Sequence, residues 1–260
     1  MNTYVLFTNR HHLVDACLHI GRVAAVVCER ARFSLEVNDI CALNKIPLLK
    51  ADPGADIDHG ALAEKGGDAD LFAIAHHFSL IFDGAAISRY PRGIWNVHTG
   101  KLPDNRGRHP VSWSLLNNDF YTALSLHEID ERIDQGFLLA ERIIPIRFSD
   151  DGNSITRKMN KALDGDFILE AMARYRHGGK TALERGRYNK NLMGRLDVLD
   201  PEQMDSSFVY GAFRAQRAYG GIMFNGVRYE HCHFFDDSLS SRLNGGVIIT
   251  CRDGIRLALE

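Results

Sequence analysis

An amide, an imidazole and a carboxylate stand at positions 96, 98 and 134 of this chain, and their types and order suit acyl transfer. The short apolar run Gly93-Ile94-Trp95 leads into Asn96, and His98 follows two residues on. If that run ends a strand, residues two apart point to one face. Asn96 and His98 then look out together from the strand's carboxyl end, where open α/β sheets place their ligand crevice. Asp134 comes 36 residues after His98 (134 − 98), in a loop between two apolar segments. In such a set the amide donates to a developing oxyanion, the imidazole serves as general base, and the carboxylate orients or tunes it.

Plainer readings stand beside these. An Asp before Gln135-Gly136 is ordinarily a turn residue, and a lone His near an apolar run is ordinarily structural. The Asn-x-His pairing and the strand-like runs on both sides of Asp134 favour chemistry. Residues 99–108 carry Lys101, Arg106 and Arg108 among helix breakers. Cations there suit an acceptor bearing phosphates; equally, Lys101 reads as solvated charge, and Arg106 as loop architecture before Pro110. Arg10 sits beside an expected helix start, whose free N–H groups bind anions. It is either a contact to a substrate phosphate or a solvated surface arginine. His76-His77 leave a strand end toward the same crevice. No ligand set with zinc spacing accompanies them, so no metal is expected. His127, alone on a strand, reads as a satisfied structural group. His231-Cys232-His233 alternate along a strand, which turns Cys232 away from both imidazoles.

The elements that must position these groups alternate in type. Residues 4–8 and 23–28 are apolar runs of the kind buried on both faces in parallel sheets. An amphipathic helix over 13–20 lies between them, closed by Gly21. A helix over 35–44, a short run at 47–49, a helix near 60–65 and a strand over 69–75 continue the doubly wound pattern. The first strand–helix turn lacks G-x-G-x-x-G, so a Rossmann dinucleotide is not expected. A buried helix around Trp113 (111–116) and strands over 121–129 and 137–146 follow. One long amphipathic helix is expected over 154–175. A polar connecting segment, 181–205, precedes a helix over 207–219 and strands at 222–224, 227–235, 246–251 and 255–259. Asn225-Gly226 and Arg252-Asp253-Gly254 supply hairpin turns there. The expected fold is α/β, a Rossmann-like, doubly wound, mostly parallel sheet over 1–180, with a small C-terminal β-rich subdomain over 206–260.

Bulk properties narrow the classes. The 260 residues can bury the core of one large domain, or of a domain with a small appendage. With 31 basic and 33 acidic residues the chain lacks the basic surface that a general grip on nucleic acid requires. Five cysteines, odd in number and without CxxC spacing, suit a reduced, cytoplasmic setting. The N-terminus reads as strand and loop rather than signal peptide. No apolar run reaches the ~20 residues of a membrane-spanning helix.

The stretch N-V-H-T-G-K-L-P-D-N-R-G-R-H-P, followed by a helix and then I-D-E-R-I-D-Q-G, resembles the signature of formyltransferases that use N10-formyltetrahydrofolate. The resemblance covers residues 65–150 well and the rest more faintly. It implies a formyltransferase fold, with Asn96, His98 and Asp134 as the catalytic set. It also implies that Phe78, Ser79, Leu80 and Ile81, with Asp130 and Ile133, hold the folate's pterin end. Two departures accompany it: Thr99-Gly100-Lys101 replaces the family's usual residues after the His, and Arg132 and Gln135 replace two in the acidic loop. The short β-rich appendage and the run R-A-Q-R-A-Y-G-G-I-M-F-N-G-V-R-Y look more like the sugar N-formyltransferase branch. That branch implies a homodimer acting on a nucleotide-linked amino sugar. A GDP- or dTDP-linked 4-amino-4,6-dideoxy sugar such as GDP-perosamine is the expected acceptor, destined for O-antigen and lipopolysaccharide. Methionyl-tRNA, glycinamide ribonucleotide or water as acceptor, and a non-catalytic folate- or nucleotide-binding module, remain the alternatives.

Overall fold

Strand β1 (Thr3–Thr8) is buried along its whole length, and so is β4 (Leu71–His76). A run with no exposed face can only be an inner strand, which is the position both take. The computed structural model describes residues 2–52, 57–67, 70–192, 196, 199–236 and 246–260. In chain order β1 is followed by α1 (His11–Leu18), β2 (Arg22–Glu29), α2 (Leu35–Leu43), β3 (Leu48–Ala51) and α3 (His59–Gly66). After β4 come α4 (Gly84–Ser88), β5 (Ile94–His98), β6 (Arg106–Gly107), α5 (Pro110–Leu116), β7 (Tyr121–Glu128) and β8 (Phe137–Pro145). Helices α6 (Gly152–Ala162) and α7 (Gly165–Arg176) precede β9 (Thr181–Ala182) and β10 (Tyr188–Asn189). The last part holds α8 (Ser206–Gln216), β11 (Ile222–Phe224), β12 (Val227–Tyr229), β13 (Cys232–Phe234), β14 (Val247–Thr250) and β15 (Arg256–Leu259).

Among the described residues the main sheet has the order β3-β2-β1-β4-β5-β7-β8-β9. The strands from β3 to β5 run parallel, and β7 pairs antiparallel with β5. The order reverses between β1 and β4, the switch point of a doubly wound fold. Side-chain caps start several helices where the sequence changes from apolar run to polar turn. Ser34, Asp58, Asp83 and Asp164 accept from the backbone N–H groups of Val37, Ala61, Ala86 and Phe167.

Two compact units divide the chain. One comprises Met1–Arg106, Ala123–Arg142 and Met159–Gly186; the other comprises Gly107–Thr122, Ile143–Lys158 and Arg187–Glu260. The first has a core of Val5, Phe7, Val27, Ala73, Ile94 and their neighbours. The second is built around Leu116, Val209, Phe213, Ile222, Ile249 and Leu257.

Four local expectations differ from the structure. The helix expected over 154–175 is two, α6 and α7. Asp164 stops the first and caps the second, and Arg142 donates both to the Ala162 carbonyl and to the Asp164 carboxylate. The strand expected over 227–235 is also two. The N–H groups of Glu230 and His231 both turn to the Glu260 carbonyl, so β13 leaves β12 and joins β15. Trp113 is half-buried rather than enclosed, and its indole N–H donates to the Lys190 carbonyl at 3.0 Å. Helix α1 begins two residues earlier than its apolar period suggests and is capped at His19, not Gly21. Ala69, and residues 193–195, 197–198 and 237–245 of the connecting and C-terminal segments, lie outside the described residues.

Candidate active site

Strand β5 ends on Asn96-Val97-His98, and its pairing with β7 sets Asn96 opposite His127 and His98 opposite Ser125. Opposed residues share a face, so the register brings a second imidazole beside the Asn96 amide. Asp134 arrives from the β7–β8 hairpin. Its backbone is left-handed, with φ 51, in a turn where Gln135 N–H donates to the Arg132 carbonyl. Gly136 follows at φ 95, and a β-carbon there would collide with the Glu128 carbonyl. The Asp-Gln-Gly run is thus a tight reversal that swings Asp134 inward.

The hydrogen bonds determine which ring nitrogen does what. His98 Nε2 lies 2.7 Å from the Asn105 carbonyl, which can only accept, so Nε2 carries a proton. His98 Nδ1 is then the nitrogen that can take and give a proton, and it stands 3.6 Å from Asp134 Oδ1. That is too long for a direct hydrogen bond and close enough for charge attraction. His127 Nδ1 donates to the Gln135 carbonyl at 3.0 Å. Its fully buried ring is held neutral: burial lowers its pKa to about 4, against the opposing pull of Asp134. His127 Nε2 therefore presents a lone pair, and Asn96 Nδ2 donates to it at 3.2 Å. Asp134 Oδ1 sits 3.8 Å from the same Nε2. A neutral imidazole thus fixes the flip state of the Asn96 amide, leaving its second N–H for another acceptor.

Around this centre, Ser125 Oγ donates to the Gly100 carbonyl at 2.8 Å and accepts from Leu102 N–H at 3.4 Å, which moors the loop after β5. Lys101 donates to Glu141 at 3.2 Å, so its charge is already paired. Arg106 is 8% exposed and donates to the Gly186 carbonyl at 2.8 Å, bracing this loop from within. Arg10 is exposed at the head of α1, where no side chain caps the helix. Asp130 accepts from Arg132 N–H and guanidinium and holds its own turn.

Two apolar side chains stand open near this face, Ile81 at 79% and Ile133 at 49% exposed, with Phe78 and Leu80 half-buried and Ser79 exposed. The loops that carry them come together, since a β-carbon on Gly84 would collide with the Glu131 carboxylate. Exposed apolar side chains and open backbone on two adjoining loops suit a flat heterocycle with polar edges. An open recess of about 750 Å³ lies beside the loop of residues 78–81, lined by Leu80 and Ile81 together with Ile57–Ala61 and Phe82; none of Asn96, His98 and Asp134 lines it. No group of three or more metal-ligating side chains occurs among the described residues. Nor is any helix among the described residues long and apolar enough to cross a membrane. Sequence reasoning passed over His127 as merely structural; only the β5–β7 register shows its contact with Asn96.

An amide, an imidazole and a carboxylate are gathered at the end of a sheet strand of an α/β fold, an arrangement whose groups suit acyl transfer. Residues 58–171 match the model of the formyl transferase family. The chain is 30% identical over 120 residues to methionyl-tRNA formyltransferase of Synechococcus sp. (strain CC9311), covering 46% of this chain and 35% of that protein. It is 32% identical over 132 residues to the enzyme of the same name from Prochlorococcus marinus (strain MIT 9215), covering 50% and 39%. It thus spans well under half the length of these curated relatives. Among solved structures it resembles WlaRD, a sugar 3N-formyl transferase crystallised with dTDP and 5-N-formyl-THF. The TM-score is 0.74 at 16% identity, over 100% of this chain and 97% of that one. An N-formyltransferase from Helicobacter canadensis, in complex with folinic acid and dTDP-3-aminofucose, gives 0.72 at 15% identity, over 100% and 99%. At these identities the likeness is one of fold, the formyltransferase fold.

Proposed function

We propose that the chain is an enzyme that transfers a formyl group from N10-formyltetrahydrofolate to the amine of a nucleotide-linked amino sugar. The observation that carries this reading is the convergence of half-buried Asn96 and Asp134 on buried His98, with His127 orienting the amide. The folate supplies an activated one-carbon unit on nitrogen. Asn96 Nδ2 donates to the oxygen that gains negative charge as the acceptor amine adds. His98 Nδ1 takes the proton from the incoming amine and returns it to the departing nitrogen. An imidazolium formed there faces the Asp134 carboxylate at 3.6 Å, which stabilises it. Phe78, Ser79, Leu80, Ile81, Asp130 and Ile133 are the proposed folate contacts, Ile81 and Ile133 supplying apolar flanks. Arg10 is the proposed phosphate contact. Lys101 and Arg106 are already engaged by Glu141 and Gly186, so they shape the acceptor side rather than grip phosphate.

A sugar acceptor is supported by full-length likeness in fold to two sugar formyltransferases. The relatives named for methionyl-tRNA match only part of this chain. We favour a GDP- or dTDP-linked 4-amino-4,6-dideoxy sugar such as GDP-perosamine, made for O-antigen in the cytoplasm by a homodimer. The test offers a panel of nucleotide-linked amino sugars, glycinamide ribonucleotide and methionyl-tRNA with the formyl donor, and scores the added formyl mass. Formylation of a nucleotide sugar supports the reading. Transfer only to tRNA or ribonucleotide, or donor hydrolysis alone, overturns it. Turnover should survive a chelator, because no step calls for a metal.

A further inference from the structure

The crevice of a doubly wound sheet opens where strand order reverses, here between β1 and β4. At that point this chain places a buried carboxylate. Glu29, the last residue of β2, is 4% exposed. Its Oε1 accepts from Asn9 Nδ2 at 2.8 Å and from Ser79 N–H at 2.7 Å, and its Oε2 accepts from Ser79 Oγ at 2.6 Å. Glu29 N–H donates in return to Asn9 Oδ1 at 2.8 Å, and Asn9 Nδ2 also donates to the His77 carbonyl at 2.6 Å. One carboxylate therefore joins the residue after β1, the end of β2 and the loop after β4.

That loop does not hold its shape unaided. His77 sits at φ 50, a conformation that side-chain-bearing residues rarely adopt, and Ser79 is exposed. A carboxylate removed from water needs its lone pairs filled. The donors here come chiefly from the loop, while Arg32 Nε stands back at 3.8 Å. An amide of the same shape can keep the oxygen that meets Asn9 and Ser79 N–H, but it loses the charge, and its NH2 obliges the Ser79 hydroxyl to turn from donor to acceptor.

We propose that Glu29 is a positioning residue, whose carboxylate sets the main-chain conformation of residues 77–81 through Ser79 and Asn9 and so presents that loop to the formyl donor. This rests on the reading of residues 78–81 as donor contacts. The test compares wild type, Glu29→Gln and Ser79→Ala as full chains, by amide hydrogen exchange and by steady-state kinetics with N10-formyltetrahydrofolate. In Glu29→Gln, exchange over residues 77–81 should rise at least about tenfold, as bonds to a charged acceptor give way to neutral ones. Ser79→Ala keeps the backbone bond and should show a smaller rise, which still tests the idea if Glu29→Gln fails to fold. KM for the donor should rise by about the same factor with kcat within about twofold, since binding and not chemistry is disturbed.

Unchanged exchange at 77–81 overturns the proposal, as does a rise spread evenly over the chain. A local rise with unaltered KM overturns the donor-presenting role. If the wild type formylates no acceptor, the reading in the preceding section falls, while the exchange comparison still decides whether Glu29 holds the loop.

Discussion

His127 is fully buried, and the direction of the Asn96 amide depends on it. Its Nδ1 proton goes to the Gln135 carbonyl, its Nε2 lone pair receives Asn96, and burial keeps the ring neutral, with a pKa of about 4. Asn96→Ala should lower turnover by ~10²–10³ while the fold persists, the usual effect of losing an oxyanion donor. Near-native kcat in a folded variant would remove Asn96 from the mechanism. His127→Phe should lower kcat by about tenfold, the worth of one orienting hydrogen bond. His127→Gln can still accept from Asn96 and should recover part of it. Equal loss in both variants, measured by kcat beside thermal melting, would mean His127 matters only for packing.

At the scale of elements, the hairpin between β7 and β8 decides whether the carboxylate reaches the imidazoles. Gly136 at φ 95 leaves no room for a β-carbon against the Glu128 carbonyl. Gly136→Ala should destabilise by more than ~1 kcal/mol and should also impair turnover, because relief of the collision moves Asp134. A variant with unchanged melting temperature and rate would show the turn to be tolerant. The junction between α6 and α7 makes a purely structural comparison. Asp164→Ala removes the cap on Phe167 and the Arg142 pair. It should cost about 1 kcal/mol with KM and kcat intact, as read by denaturant melts and kinetics.

For the molecule as a whole, the near balance of 31 basic and 33 acidic residues hides an acid sensitivity set by burial. His76 and His127 are buried, and desolvation lowers the pKa of both, that of His127 to about 4. The unfolded chain takes up these protons near pH 6.5, and the folded chain does not. Their contribution is therefore fully present above pH 6.5 and declines as pH falls from there toward 4, by roughly 1.4 kcal/mol per pH unit for each histidine. Glu29, Asp150 and Asp164, whose carboxyls are held below their usual range by hydrogen bonds and cationic partners, add losses only at lower pH. A urea midpoint that is level above pH 7 and declines from pH 6.5 is expected. A midpoint constant from pH 7 to 5 would contradict it.

Periodicity alone was enough for the alternation of strands and helices, for the strand end at Asn96 and His98, and for hairpin turns at Gly136 and Asn225-Gly226. Those features are local: a run buried on both faces, a polar break, a residue that tolerates positive φ. Asp164-Gly165-Asp166 was equally local, but the apolar periods before and after this polar break concealed the division into two helices. The contacts that give the site its chemistry were out of reach of spacing. Asn96 meets His127, 31 residues away, because β5 and β7 pair in one register, and a shift of one residue would turn His127 to the opposite face. Glu29 meets Ser79, 50 residues away, because β2 and β4 flank β1 in parallel and end at the same edge of the sheet. Residue types and order thus determined which groups were available. Tertiary structure decided which imidazole nitrogen carries its proton, which carboxylate is buried and which cation is already paired, because desolvation and hydrogen-bond partners are properties of the folded surroundings.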